Sequence, residues 1–332
     1  MGPGELKSGR RGAEWALAVG TAQALGILEA LAEGPCSAGR LAETLALHPR
    51  GTEILLGILT DAGLASFTER GYALTGQGRA RFIDRDAPDF EGDAMRLWLS
   101  NIRRWAGDLE EAVRRGGPPG DGPEPGRTRE EMDSLSRFMA AMANKEPAFV
   151  EKVVAQCEAR LGEGGHELSR SRVLDLGGGP GVFARAFIAR GARAVLADRP
   201  EVVEHVAEAY GLGGVPGLEL WQGDFLNKLP GGRFQLILLA NITHIYDAET
   251  NADLLRRVAA RLSPAGVVAI LDFVRGASEF AGLFAVTMLL NTEAGNTYAL
   301  ADYETWLEGA GLARPRCLSL DADRQLLTAR RT

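Results

Sequence analysis

Cysteine is scarce in this sequence: Cys36, Cys157 and Cys317 stand far apart among 332 residues, and no CxxC pair occurs. That argues against a disulfide framework or a zinc knuckle and fits a reducing, cytoplasmic location. Positive charge is scarce too. The net charge is −7, and only four of the 37 basic residues are lysine. A nucleic-acid partner held through its phosphates is therefore not expected. Long apolar runs are missing; the longest, from Phe280 to Leu290, is too short to span a bilayer. The opening stretch MGPGELKSGRRG leads into no signal-type apolar core, and Leu6 stands where a myristoylation signal needs Ser or Thr. No membrane partner is expected either. What is present, 45% hydrophobic and 24% charged residues, is the composition of a globular chain, and the length calls for more than one domain.

Residues 1–87 read as a small, mainly helical domain. Trp15, Leu17, Val19, Ala22, Leu25, Ile27, Leu28 and Leu31 recur at helical spacing and predict one helix over 13–33, stopped by Gly34-Pro35. Ser37 has the chemistry of an N-cap for a short helix, Ala38 to Leu45, and Pro49 opens another over Arg50 to Asp61. Ala65 to Phe67 and Tyr72 to Thr75, joined by a polar turn, read as a β-hairpin. Helices followed by a hairpin make a winged-helix pattern. Residues 38–60 carry only Arg40, His48 and Arg50 as basic groups. That is a poor set for reading bases, so a structural or dimerisation module is the preferred reading. Residues 88–165 read as a helical connector broken at Gly116 to Pro123, with helices at Glu130 to Ala143 and Pro147 to Leu161.

From Arg172 onward strands alternate with helices. Strands are predicted at Arg172–Leu176, Ala194–Ala197, Leu218–Trp221, Phe234–Leu239 and Val267–Leu271, with two more near Arg316–Leu320 and Gln325–Ala329. The fourth is the most apolar and should be central. The fold class predicted for residues 166–332 is α/β, a Rossmann-like doubly wound sheet.

The first of these strands runs into Gly177-Gly178-Gly179-Pro180-Gly181 and then a helix. Glycines there let the backbone turn sharply and approach a ligand, at the strand end where α/β sheets bind them. Gly179, Gly181 and Ala184 satisfy the dinucleotide pattern GxGxxG/A. Asp175, just before the glycines, would repel a pyrophosphate but could accept from a cationic amino-acid end. Asp198, ending the second strand, could hold a ribose, and Gly223-Asp224-Phe225 supplies an acceptor and an aromatic plane for an adenine. Taken together this set resembles S-adenosylmethionine-dependent methyltransferases. His244, in Asn241-Ile242-Thr243-His244 after the fourth strand, could take a proton from an acceptor hydroxyl, because a free imidazole titrates near neutrality. No metal is expected: Asp247 and Glu249 read as first-turn helix charges.

Over nearly its whole length the chain resembles the small-molecule O-methyltransferases of the caffeic-acid and acetylserotonin type, including the bacterial natural-product branch. Leu25 to Leu31 with Tyr72 to Thr75 looks like that family's winged-helix dimerisation domain. Asp175 to Gly181, Asp198 to Val202, Gly223 to Phe225 and Asn241 to His244 match its motifs in order. The resemblance implies a homodimer and bound S-adenosylmethionine, released as S-adenosylhomocysteine. The cofactor would be held by Asp175, Gly177, Gly179, Gly181, Asp198, Arg199, Gly223, Asp224, Phe225 and Asn241. It also implies His244 as general base and Asp272 at the position of a carboxylate that orients it. The acceptor, a small aromatic or polycyclic metabolite, would meet Trp98 and Trp105, Phe138, Met139, Met142, Phe284, Met288 and Asn291. Departures are visible. The family's His-Asp-Trp is His244-Ile245-Tyr246 here, and its second orienting Glu falls ambiguously in Thr292 to Asn296. C- or N-methylation, or a cofactor-retaining hydroxylation, decarboxylation or cyclisation, stays open beside O-methylation.

Overall fold

A computed structural model describes residues 3–85, 87, 89–119, 139 and 147–331, with side chains from residue 11 on. The chain divides into two compact units, Met1–Arg103 and Arg104–Thr332, the boundary falling inside the helix Gly92–Arg115.

The first unit begins with the helix Pro3–Ala24 and a second helix, Ile27–Ala32. The apolar spacing predicted a single helix over 13–33. The chain breaks instead at Gly26, whose φ of 76° is left-handed, so the stripe continues on a new axis. Three more helices follow, Ala38–Thr44, Pro49–Asp61 and Gly76–Phe82. Ser37, His48 and Thr75 cap them by accepting from Arg40, Arg50 and Gly78 amides. Strands β1 (Ala65–Thr68) and β2 (Gly71–Leu74) pair antiparallel. At Gly71 a Cβ would lie 2.5 Å from the Cys36 carbonyl oxygen, which explains the glycine. Ile27, Leu28, Leu31, Leu41, Leu56, Leu59 and Phe82 close the core of this unit.

The helix Pro147–Gly162 leads into the sheet of the second unit. Five strands, β3 (Arg172–Leu176), β4 (Arg193–Asp198), β5 (Leu218–Gln222), β6 (Phe234–Ala240) and β7 (Leu262–Asp272), run parallel. Two more follow, β8 (Arg316–Ser319) and β9 (Gln325–Arg330); β9 pairs antiparallel with both β7 and β8, and the order is β5-β4-β3-β6-β7-β9-β8. Strand β6 is thus the middle of seven, as its continuous apolar run predicts. From Leu236 on its residues alternate between two cores, Ile237 and Leu239 in one and Leu236, Leu238 and Ala240 in the other. Each of the Leu and Ile side chains among them, fully withdrawn from water, contributes roughly 1.5–3 kcal/mol. Strand β7 is longer than its sequence suggests. The strand predicted from Val267 begins at Leu262, which pairs with Phe234 before a register shift that precedes the Leu236–Val267 pair.

The sheet is a Rossmann-like, mostly parallel α/β layer. Its parallel strands all end on one edge, and β3, β4, β6 and β7 bring Leu176, Asp198, Ala240 and Asp272 there.

Candidate active site

The glycine loop leaves β3 with Gly177 N donating to Ala197 O of β4, at 2.7 Å. Gly177 takes φ 71°, and a Cβ there would lie 2.1 Å from Ile242 Cδ1. No larger residue fits without moving that side chain. The helix Val182–Ala189 starts directly after. Asp175 lies beneath the loop, 1% exposed, and its carboxylate accepts from Ala184 N at 3.0 Å, so it caps this helix from inside the protein. Burial pushes the Asp175 carboxyl up to about 7; the Ala184 bond opposes this and the charge of Asp198 adds to it.

Asp198 ends β4. Its Oδ2 accepts from Gly179 N at 3.0 Å and its Oδ1 from Arg199 N at 2.9 Å. Burial raises this carboxyl too, against the pull of those two bonds. Each oxygen keeps a lone pair, which suits a ligand with adjacent hydroxyl donors. The same contacts disfavour a diphosphate. Two amides of the loop and helix start, Gly179 N and Ala184 N, already serve carboxylates, and a pyrophosphate would meet two acids.

Gly223 N donates to Asp198 O, which brings the segment after β5 alongside. Asp224 folds back on its own turn, accepting from Leu226 N and the Asn227 amide. Phe225 is 4% exposed, and its ring stands edge-on to Tyr246 at 6.3 Å. Tyr246 lies within the electrostatic reach of Arg199, Asp198 and Asp224, and burial pushes its phenol up to about 12. Sequence reading noted Tyr246 only as a departure from a motif; the structure places it among the cofactor candidates.

After β6 the chain turns at Asn241, whose φ of 58° is rare for any residue but glycine and least costly for Asn. Thr243–Ile245 form a short 3-10 turn. Its carbonyls are strapped down: Asn251 Nδ2 donates to Thr243 O and Tyr246 O, Tyr298 Oη to Tyr246 O, and Asn296 N to His244 O. His244 Nδ1 lies 2.8 Å from Asp272 Oδ1 at the end of β7. A carboxylate only accepts, so Nδ1 carries the proton and Nε2 of the neutral ring keeps its lone pair. Asp272 also accepts from Phe273 N on Oδ1, and from Thr243 Oγ1 and His244 N on Oδ2. Burial would push this carboxyl up. The charge His244 carries when protonated and the bonds from His244, Thr243 and Phe273 outweigh it and hold the group below the usual carboxylate range. Among the described residues, Asp272 is the carboxylate bonded to the ring. The loop from Thr292 to Asn296 reaches His244 through backbone.

Aromatic rings surround the imidazole. Phe284 is edge-on to it at 4.7 Å, and Phe273 lies 6.4 Å away. Phe280 completes a cluster with both, 5.6 Å from Phe273 and 5.7 Å from Phe284. Phe273 and Phe280 were not singled out from sequence; the spacing of Phe280 and Phe284, one helical turn, was the available signal.

The remaining acceptor candidates are dispersed. Met288 is buried on the helix Ala281–Asn291 that carries Phe284. Asn291 is held by its neighbours, its Oδ1 accepting from Arg104 and its Nδ2 donating to Thr287 O. Met139 approaches the glycine loop: its Cε lies 3.5 Å from where a Cβ on Gly179 would be. Trp98 lies in the first unit, half-buried. Trp105 lines an open hollow on its own helix with Leu109 and Val113. Phe138, Met142 and all but Met139 of the helix predicted at Glu130 to Ala143 lie outside the described residues. No group of His, Cys, Asp and Glu fit to hold a metal ion occurs among the described residues.

A family model described as an O-methyltransferase domain matches residues 126–313. The tetracenomycin polyketide synthesis 8-O-methyl transferase of Streptomyces glaucescens is 25% identical, over 99% of this chain and 97% of its own. The acetylserotonin O-methyltransferase of Mus musculus molossinus is 28% identical, over 88% and 79% respectively. Among solved structures, PigF with SAH superposes over 100% of both chains with a TM-score of 0.81 at 22% identity, a likeness of fold.

Proposed function

The chain belongs to the O-methyltransferase domain family, and from that premise we propose that it moves the methyl group of S-adenosylmethionine to a hydroxyl of a small aromatic or polycyclic metabolite, with His244 as general base. The observation that carries the base assignment is the His244–Asp272 pair, which leaves Nε2 unprotonated amid phenylalanines.

When bound, S-adenosylmethionine supplies a methyl group already activated by its sulfonium. Asp198 would hold hydroxyl donors of the cofactor with the lone pairs left to it, while Gly177 and Gly179 would let the cofactor approach the backbone. Phe225, Tyr246 and Asp224 would flank the adenine end. His244 Nε2 takes the proton of the acceptor hydroxyl, and Asp272 stabilises the imidazolium that results without taking the proton itself. Phe273, Phe280 and Phe284 favour a flat aromatic acceptor. Holding the partners in line is worth on the order of 7–11 kcal/mol, and a positioned base adds about 10²–10⁴-fold.

The first unit acts as a winged-helix dimerisation module in this reading. Its helices and hairpin support the assignment. So do Trp15 and Leu17, large apolar side chains on its first helix that are 40% and 36% exposed. The chain works as a cytoplasmic homodimer. Light scattering at micromolar concentration reads the dimer directly, and a monomer mass would remove it.

Thermal shift with S-adenosylmethionine, S-adenosylhomocysteine, NAD and NADP tests the cofactor. A ligand that binds only the folded state raises the midpoint by mass action. The adenosyl sulfur compounds alone should do so, and an acceptor screen with labelled methyl follows. A shift with NAD or NADP alone would overturn the reading.

A further inference from the structure

Behind the His244–Asp272 pair stand two hydroxyls that no motif marks. Thr243 Oγ1 donates to Asp272 Oδ2, and Tyr303 Oη lies 2.9 Å from the same Thr243 Oγ1. The direction of this chain follows from counting protons. Thr243 has one, and the carboxylate, which has none, must receive it. The contact with Tyr303 then has the phenol as donor. The order is Tyr303 to Thr243 to Asp272, met from the other side by His244 Nδ1–H.

With these contacts Asp272 accepts four hydrogen bonds, two on each oxygen, which uses its lone pairs in full. It has no capacity left to rotate toward another partner. Thr243 is fully buried and Tyr303 is 1% exposed, so water replaces neither contact. Tyr303 is itself held, edge-on to Trp306 at 5.2 Å and to Tyr298 at 6.5 Å, in the core beside the sheet. The titratable groups around the relay are His244 on Asp272, and Asp272, Tyr298 and Asp302 around Tyr303. Burial, reinforced by the charge of Asp272, pushes the Tyr303 phenol well above its usual range, so it stays a donor.

We propose that Thr243 and Tyr303 are positioning residues for His244, a hydroxyl relay that pins Asp272 as an ionised acceptor and thereby holds the imidazole with Nδ1 protonated and Nε2 free. The catalytic consequence rests on the reading of His244 as base; the relay itself concerns only the ring and its partner. Each donor on Asp272 draws charge from the carboxylate, and in a buried site such bonds reinforce one another. Removing the far donor leaves more charge facing Nδ1–H, which favours the imidazolium.

The test is ¹⁵N NMR of the full-length enzyme labelled in its four histidines, with the His244 signals assigned by their loss in His244→Gln. Native protein should show Nδ1 protonated and Nε2 free in the neutral ring. Thr243→Val should move the titration midpoint of those signals upward by about half a pH unit. Tyr303→Phe should move it the same way by less, and Thr243→Ser, which keeps the hydroxyl, should restore the native curve. Native curves in both Thr243→Val and Tyr303→Phe, with Asp272→Asn displaced, would overturn the relay while sparing the His–Asp pair. A native curve in Asp272→Asn as well would overturn the pair and the base assignment with it. If Thr243→Val does not fold, Tyr303→Phe against native protein decides the same question.

Discussion

His244 and Asp272, 28 residues apart in sequence, meet at 2.8 Å because β6 and β7 are parallel neighbours whose ends lie level, Ala240 beside Leu271. The pair needs no loop rearrangement to form. Four residues beyond β6 suffice to bring the imidazole back over the end of β7.

Replacing His244 by Ala should lower methyl transfer to phenolic or naphtholic acceptors by about 10²–10⁴-fold, while the thermal shift by S-adenosylmethionine persists. Asp272→Asn should also be slow, because an amide can donate to Nδ1 and stabilise the wrong tautomer. Rates within a few-fold of native in His244→Ala would remove the imidazole from the chemistry.

Asp198→Ala should abolish or sharply reduce the thermal shift by S-adenosylmethionine and S-adenosylhomocysteine. It removes both the carboxylate proposed to face the ribose and the bond that fixes Gly179 N. Gly177→Ala should destabilise the protein by about 1–3 kcal/mol even without ligand, since its φ is left-handed and Ile242 fills the space. Urea denaturation at several protein concentrations measures the second effect apart from any change in association.

Stability should depend on pH through Asp175. Its folded-state value, about 7, lies above the ordinary 3.8 of an exposed Asp. Between these values the folded protein binds more protons than the unfolded chain, so stability falls as pH rises from about 4 to 7 and levels off above. Asp175→Asn keeps an oxygen for Ala184 N and removes the titration. The difference in Tm between variant and native protein should therefore shift in favour of the variant across that window. A pH-independent difference would contradict this.

Phe284→Ala should raise KM for flat aromatic acceptors more than it lowers kcat, with Phe284→Leu intermediate. An equal effect on a small aliphatic alcohol would argue against an aromatic slot.

Much of the second unit was legible in the sequence because its central parallel strands, β3 and β6 above all, are buried on both faces and read as nearly unbroken apolar runs. The break at Gly26 was not, since helical spacing of apolar residues continues straight through it. The early start of β7 was not either, since Pro264 and Gly266 are ordinary turn residues, and the pairing of Leu262 with Phe234 shows only in the structure. Within the site, His244 could be picked out by residue type and position, and Asp272 through the family resemblance. Thr243 and Tyr303 could not. A hydroxyl acquires a role only from what it touches, and these two are 60 residues apart. Phe273 and Phe280 look like any core phenylalanine until a histidine is seen beside them.

Strand β9 lies between β7 and β8, though it follows both in sequence. During synthesis, therefore, the layer can be assembled only as far as β7, whose outer edge stays open, and β8 waits without a neighbour. The last insertion, Gln325 to Arg330, covers that edge along six register pairs. Ribosomes stalled shortly before this point should hold a nascent chain with an exposed strand edge, ready to recruit a chaperone or the wrong partner.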